Sequence, residues 1–198
     1  MQNLQFFFEP FRRRAIMAVC VFLHGCSTSS AMVNSRLDPE TGVTITYVST
    51  PLVFYKDDSG RAAYARNFVH LAPVQVNQTG NLRYYLWLGI WNTTGDERSD
   101  ETRDGFESVI VLADGEPLPL GVSGWTTSAI SASYPVYIKP VASAADAYYE
   151  VTADQIRLIA TARSLRLMTT GPRQRTFELW DEQQAARSNL NLFLDATS

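Results

Sequence analysis

The chain has 198 residues, 45% of them hydrophobic and 12% aromatic, with 17 basic and 20 acidic side chains. Intrinsic disorder is excluded, because disordered chains are poor in aromatics, and a net charge of −3 excludes a protein built to coat nucleic acid, which needs a basic face. Two cysteines are too few for a disulfide-stapled miniprotein or a four-cysteine zinc site.

The N-terminal residues read as an address, not as fold. Arg12, Arg13 and Arg14 form a positive cluster, and the nine residues 15–23 are an uncharged apolar run, the length of a signal-peptide core and too short to span a bilayer. Leu23-His24-Gly25-Cys26 follows, then the polar Ser27-Thr28-Ser29-Ser30. These residues resemble the lipobox of bacterial lipoproteins. In that pattern an aliphatic residue, a small residue and Gly or Ala precede the cysteine that is lipidated and becomes the mature N-terminus. Leu23, Gly25 and Cys26 match; His24 is larger than the small residue usual at its position. The competing reading of Cys26 is a cysteine buried in a core element.

The resemblance implies that residues 1–25 are a signal peptide and that Cys26 carries diacylglycerol and an N-acyl chain, with no other cofactor. The mature chain would then have 173 residues, with 14 basic and 19 acidic side chains. Each buried methylene of the lipid contributes roughly 0.8 kcal/mol, so two or three acyl chains anchor a domain stably. In that family a serine after the cysteine, here Ser27, implies the outer membrane, with the domain facing the periplasm.

Residues 26–40 are rich in Ser, Thr and Asn without apolar periodicity and predict a flexible tether. Residues 41–198 then form one domain. Its first strand spans residues 43–48, alternating and β-branched, and residues 52–55 follow as a second. Residues 68–76 are a third, with Pro73 as a candidate break. Residues 82–91 are the strongest: Leu82, Tyr84, Leu86, Leu88 and Ile90 alternate with Arg83, Tyr85, Trp87, Gly89 and Trp91. Both sets are largely apolar, which predicts a central strand covered on both faces. Residues 106–112 are another strand, closed by Asp-Gly turn chemistry at Asp114-Gly115. Residues 136–138 and 148–151 are shorter candidates.

The last stretch changes period. Thr152 and Gln155 form a capping box that starts a short helix over about 152–161. Residues 164–169 and 175–180 make a hairpin around Gly171-Pro172. Asp181 with Gln184 predicts a second capping box and a closing helix over about 181–195, with Trp180 stapled onto Ala185. Many short strands with turn signals and two late helices predict a mainly β, β-sandwich-type domain.

Candidate chemistry is sparse. His70 is the sole histidine beyond the signal segment, so a catalytic triad would need it, and the strand pattern around it favours a surface or sheet-edge histidine. Asp96, Asp100 and Asp104 lie in an oxygen-rich stretch of the kind calcium takes, without EF-hand spacing, which favours a solvated loop. Tyr85, Trp91 and Trp125 are candidate contact residues for a partner or ligand; the competing reading is core packing. The function expected is therefore non-catalytic: a lipid-anchored envelope protein that binds another envelope protein, with no nucleic-acid partner. Binding of a glycan or small ligand through the exposed aromatics is the alternative, and an envelope hydrolase using His70 or a carboxylate pair is a third class.

Overall fold

The computed structural model describes residues 32–95, 102–180 and 183–197. Among the described residues ten strands and two α-helices follow in the order β1 (Val33–Leu37), β2 (Thr44–Val48), β3 (Leu52–Asp57), β4 (Arg66–Gln78), β5 (Asn81–Asn92), β6 (Ser108–Ala113), β7 (Glu116–Gly121), β8 (Ala145–Val151), α1 (Ala153–Thr161), β9 (Leu165–Thr169), β10 (Thr176–Leu179) and α2 (Gln184–Thr197), with one turn of 3-10 helix at Thr127–Ile130 between β7 and β8. This is the mainly β, sandwich-type arrangement with a short and a closing helix that the periodicity predicts.

The long β4–β5 hairpin is the spine. Its register runs unbroken from Asn67 opposite Asn92 to Gln78 opposite Asn81. Two residues turn it, Thr79 at φ 50° and Gly80 at φ 91°, the left-handed pair that a type I′ turn requires. The Asn77 side chain helps to hold the turn by accepting the Gly80 N–H at 2.9 Å.

Along its other edge β4 pairs with β3 over its first half and with β2 over its second. Between the two registers lie Ala72 and Pro73, opposite the bend at residues 49–51. The parity of the ladder, set by the Thr93 N–H bonding the Arg66 carbonyl, aims the Pro73 nitrogen at this gap. Its missing N–H therefore breaks no bond, and the proline does not interrupt the strand.

From β3 the antiparallel sheet continues through β10, β9, β6 and β7, and from β5 it continues to β8. It curls until its ends meet. The Ser123 N–H donates to the Tyr148 carbonyl at 2.7 Å, and the Tyr148 N–H to the Gly124 carbonyl at 2.9 Å. Strand β7 lies outside the predicted strands and carries Pro117 and Pro119. Both prolines present their nitrogens to the outer side of β7, which is unpaired among the described residues, so no donor is needed and further strand pairing is blunted.

The curled sheet encloses Phe54, Phe106 and Phe177, and α2 adds Phe193 and Leu190 to the same core. Burying each large apolar side chain stabilises the fold by roughly 1.5–3 kcal/mol. The Thr197 carbonyl at the end of α2 accepts from Gln75 and from the Tyr84 hydroxyl at 3.1 and 2.8 Å, which satisfies a helix-end acceptor inside the fold. The capping box of α1 is present in full, with Thr152 and Gln155 exchanging both bonds. Asp181 lies outside the described residues.

Three local expectations need correction. The tether predicted over 26–40 holds a strand, β1, whose polar residues suit an edge; Arg36 anchors it by donating to the carbonyls of Tyr134 and Pro135 at 2.9 and 2.8 Å. Residues 136–138 are not a strand: Tyr137 stacks on Trp87 and donates its hydroxyl to the Val48 carbonyl at 3.0 Å. Trp180 packs on Tyr55 and Phe68, and Ala185 is exposed, so the staple is absent. Among the described residues no helix is long and apolar enough to cross a membrane.

Candidate functional site

Register and alternation together gather aromatic rings on one face of the sheet. Tyr55 on β3, Phe68 on β4 and Trp91 on β5 stand directly opposite one another across three strands. One step along, His70 sits between Val53 and Gly89, and beyond it Ala72 faces Trp87. Because side chains two apart share a face, Phe68, His70, Trp87, Gly89 and Trp91 all emerge on the same side.

The rings form a continuous strip. Phe68 and Trp91 stack at 4.5 Å between centroids, and Trp180 lies against both Phe68 at 5.7 Å and Tyr55 at 5.0 Å. The Arg66 guanidinium covers the outer end, 5.1 Å from the Trp180 ring and 5.6 Å from Tyr55, and Asp57 holds it through a 2.9 Å bond. Trp180 is 38% exposed, and Tyr55, Phe68 and Trp91 are half-buried.

At the inner end of the strip the Trp91 indole N–H donates to His70 Nε2 at 3.2 Å. A histidine that accepts at Nε2 is neutral, with its proton on Nδ1. Burial acts in the same direction and pushes the imidazole pKa down.

Beyond His70 a pocket of about 420 Å³ opens, lined among others by Asn34, Tyr47, Ser49, His70, Trp87 and Tyr137. Its aromatic wall is the Trp87–Tyr137 stack at 4.2 Å, with Tyr47 edge-on to Tyr137 at 5.6 Å. The Trp87 indole is held by its own N–H bond to Asp146 at 3.0 Å, and Lys139 lies 3.5 Å from the same carboxylate. Gly89 makes room for the indole: a Cβ there would fall 2.4 Å from the Trp87 ring.

Of the sequence-predicted residues the structure brings together Trp91 and His70, the latter on a strand paired along both edges and so not at a sheet edge; Tyr85 and Trp125 do not join them. Tyr85 is 1% exposed and belongs to the core, so it offers no surface to a ligand. Trp91 lies in the strip. Trp125 makes a different contact, with the Arg103 guanidinium 5.3 Å from its ring. Asp96, Asp100 and Cys26 lie outside the described residues; Asp104 is exposed. Among the described residues no three His, Cys, Asp or Glu side chains gather as a metal site.

Tyr55, Phe68, Trp180, Tyr47 and Tyr137 were missed. For Phe68 and Tyr55 a signal existed: the two-residue turn at Thr79-Gly80 fixes Phe68 opposite Trp91, and alternation carries the row to Tyr55. A second, larger cleft of about 650 Å³ is charged, with Lys56, Arg61 and Arg173 against Asp58 and Asp104.

Comparison with protein families, with curated proteins and with solved structures finds no match to this chain.

Proposed function

We propose that this chain is a lipid-anchored lipoprotein of the bacterial outer membrane that works by binding another envelope protein, without catalysis. The address rests on Leu23, Gly25 and Cys26 behind the arginine cluster and apolar run. The binding role rests on one observation, the strip of Tyr55, Phe68, Trp91 and Trp180 closed by Arg66. Trp, Tyr and Arg dominate the energetic centres of protein interfaces, because each buries a large area and keeps a polar handle. Here they are already ordered against one another, so little side-chain entropy is lost on docking.

The test uses the full chain solubilised from membranes. Palmitate labelling is expected in the wild type and absent in Cys26→Ser; labelling that persists in Cys26→Ser overturns the anchor. Affinity capture is expected to recover a stoichiometric partner, lost in Trp180→Ala and Arg66→Ala. Capture of the bait alone, or undiminished capture by both variants, overturns the binding role.

A further inference from the structure

The pocket beside the strip points to a ligand of its own. Among the described residues, every side chain that lines it is formally uncharged once His70 is neutral: Asn34, Ser49 and His70 are polar, Tyr47, Trp87 and Tyr137 aromatic, and Pro51, Val136 and Ile138 aliphatic. The bond from Trp91 occupies the one ring nitrogen of His70 that lacks a proton, so the imidazole meets a ligand as a neutral donor at Nδ1. An ionic ligand would leave water without a counter-charge among the described lining side chains, which is costly.

The polar groups come from three separate elements. Asn34 is on β1 and donates to Ser49 at 2.6 Å on the bend after β2, while His70 is on β4. They are side-chain groups around a cavity, not a row of backbone donors and acceptors. An extended peptide adds itself to a backbone row; a compact ring with polar groups on its rim matches side chains converging from several sides. About 420 Å³ lies within the range of pockets that take one small molecule.

We propose that this pocket binds a neutral sugar ring, its C–H face against the half-buried Tyr47 and Tyr137, with the buried Trp87 backing Tyr137, and its hydroxyl or acetamido rim toward Asn34, Ser49 and His70. Such a ring is amphipathic in the way the lining requires, with apolar axial hydrogens on one side and hydrogen-bonding groups at its edge. Ile138, 97% exposed at the mouth, supplies further apolar surface that a second ring of an oligosaccharide would cover. The proposal rests on the reading of this face as a binding face, but its residues differ from those assigned to the protein partner.

The experiment is calorimetric and fluorescence titration of the full chain in detergent with chitotriose and with maltotriose. Saturable binding of at least one is expected, with a change in tryptophan emission because Trp87 lines the pocket and Trp91 bonds to His70. Asn34→Ala and Tyr47→Leu should each weaken binding at least ten-fold, with Tyr64→Ala, at an exposed site away from the pocket, binding as wild type. Circular dichroism of each variant separates lost binding from lost folding. Absence of binding by both sugars at millimolar concentration, or undiminished binding by both folded variants, overturns the proposal. If capture of the partner protein survives while sugar binding is absent, the sugar site alone fails. If sugar binding survives in Trp180→Ala and Arg66→Ala and no partner is captured, the protein-binding reading fails and the sugar site stands.

Discussion

Replacing Gly89 by alanine tests the packing that builds the aromatic wall. An added Cβ falls 2.4 Å from Cη2 and 2.6 Å from Cζ2 of Trp87, against the ~3.5–4.0 Å at which carbon atoms rest in contact. The indole must therefore retreat by more than 1 Å (roughly, from that contact distance). Overpacking of this kind costs about 1–3 kcal/mol. Retreat also loosens the stack on Tyr137, worth about 0.5–1.5 kcal/mol, and the N–H bond to the Asp146 carboxylate, worth about 1.5–3 kcal/mol. Since these losses overlap, Gly89→Ala should destabilise by roughly 2–5 kcal/mol. Urea unfolding followed by far-UV circular dichroism measures it. The decisive comparison repeats the substitution in Trp87→Ala, where no ring stands in the way. There the added methyl should cost a few tenths of a kcal/mol at most, and restriction of the unfolded chain favours a small gain. Gly89 is not at positive φ, so no backbone strain enters either arm. Equal cost in both backgrounds, or a cost under about 0.5 kcal/mol in the wild type, would refute the reasoning.

Two further outcomes follow from single contacts. Burial lowers the His70 pKa from its ordinary 6.5, so the fold favours the neutral form; the stabilisation from this group is full above pH 6.5 and is lost as pH falls toward the lower folded value. The urea midpoint should therefore drop on acidification through that window, and His70→Gln should remove that part of the drop; an unchanged slope in the variant sinks the assignment. Thr152→Ala removes one half of the α1 capping box and should cost about 1 kcal/mol in the same unfolding assay, with a wild-type midpoint as the contrary result.

The parts of the fold that were legible are those where local chemistry and tertiary context agree. Alternation in residues 82–91, the Asp114-Gly115 turn and the Thr152–Gln155 box each specify a local geometry that the fold uses unchanged. The parts that were not legible are edges. Strand β1 has no apolar period because among the described residues it pairs on one side only, through backbone groups that any sequence carries, while its Arg36 and the following Asp38 find partners in the 133–135 segment. Strand β7 contains two prolines because its outer side needs no donors. Pro73 made the same signal in mid-strand and meant something else, since the sheet divides between β2 and β3 at that point. A proline marks a missing donor; only pairing decides whether a donor was required.

The aromatic residues show the same limit from the side of function. Tyr85, Trp87 and Trp91 occupy one face of one strand, with Gly89 between the last two, and nothing in that alternation separates their roles. Their fates diverge through what covers the face. Tyr137 of the 134–138 segment stacks on Trp87, and Trp87 and Tyr85 are both buried. The covering stops short of His70 and Trp91, so Trp91 is left to stack on Phe68 and to bond the imidazole. The pocket is the step between covered and uncovered face, which is why its lining draws on β1, β2, β4, β5 and the 136–138 segment at once. A site made by where a loop ends has no sequence motif. It follows from the hairpin register, which aligns Tyr55, Phe68 and Trp91, and from Gly89, whose lack of a side chain lets the Trp87 indole lie down and bound the pocket.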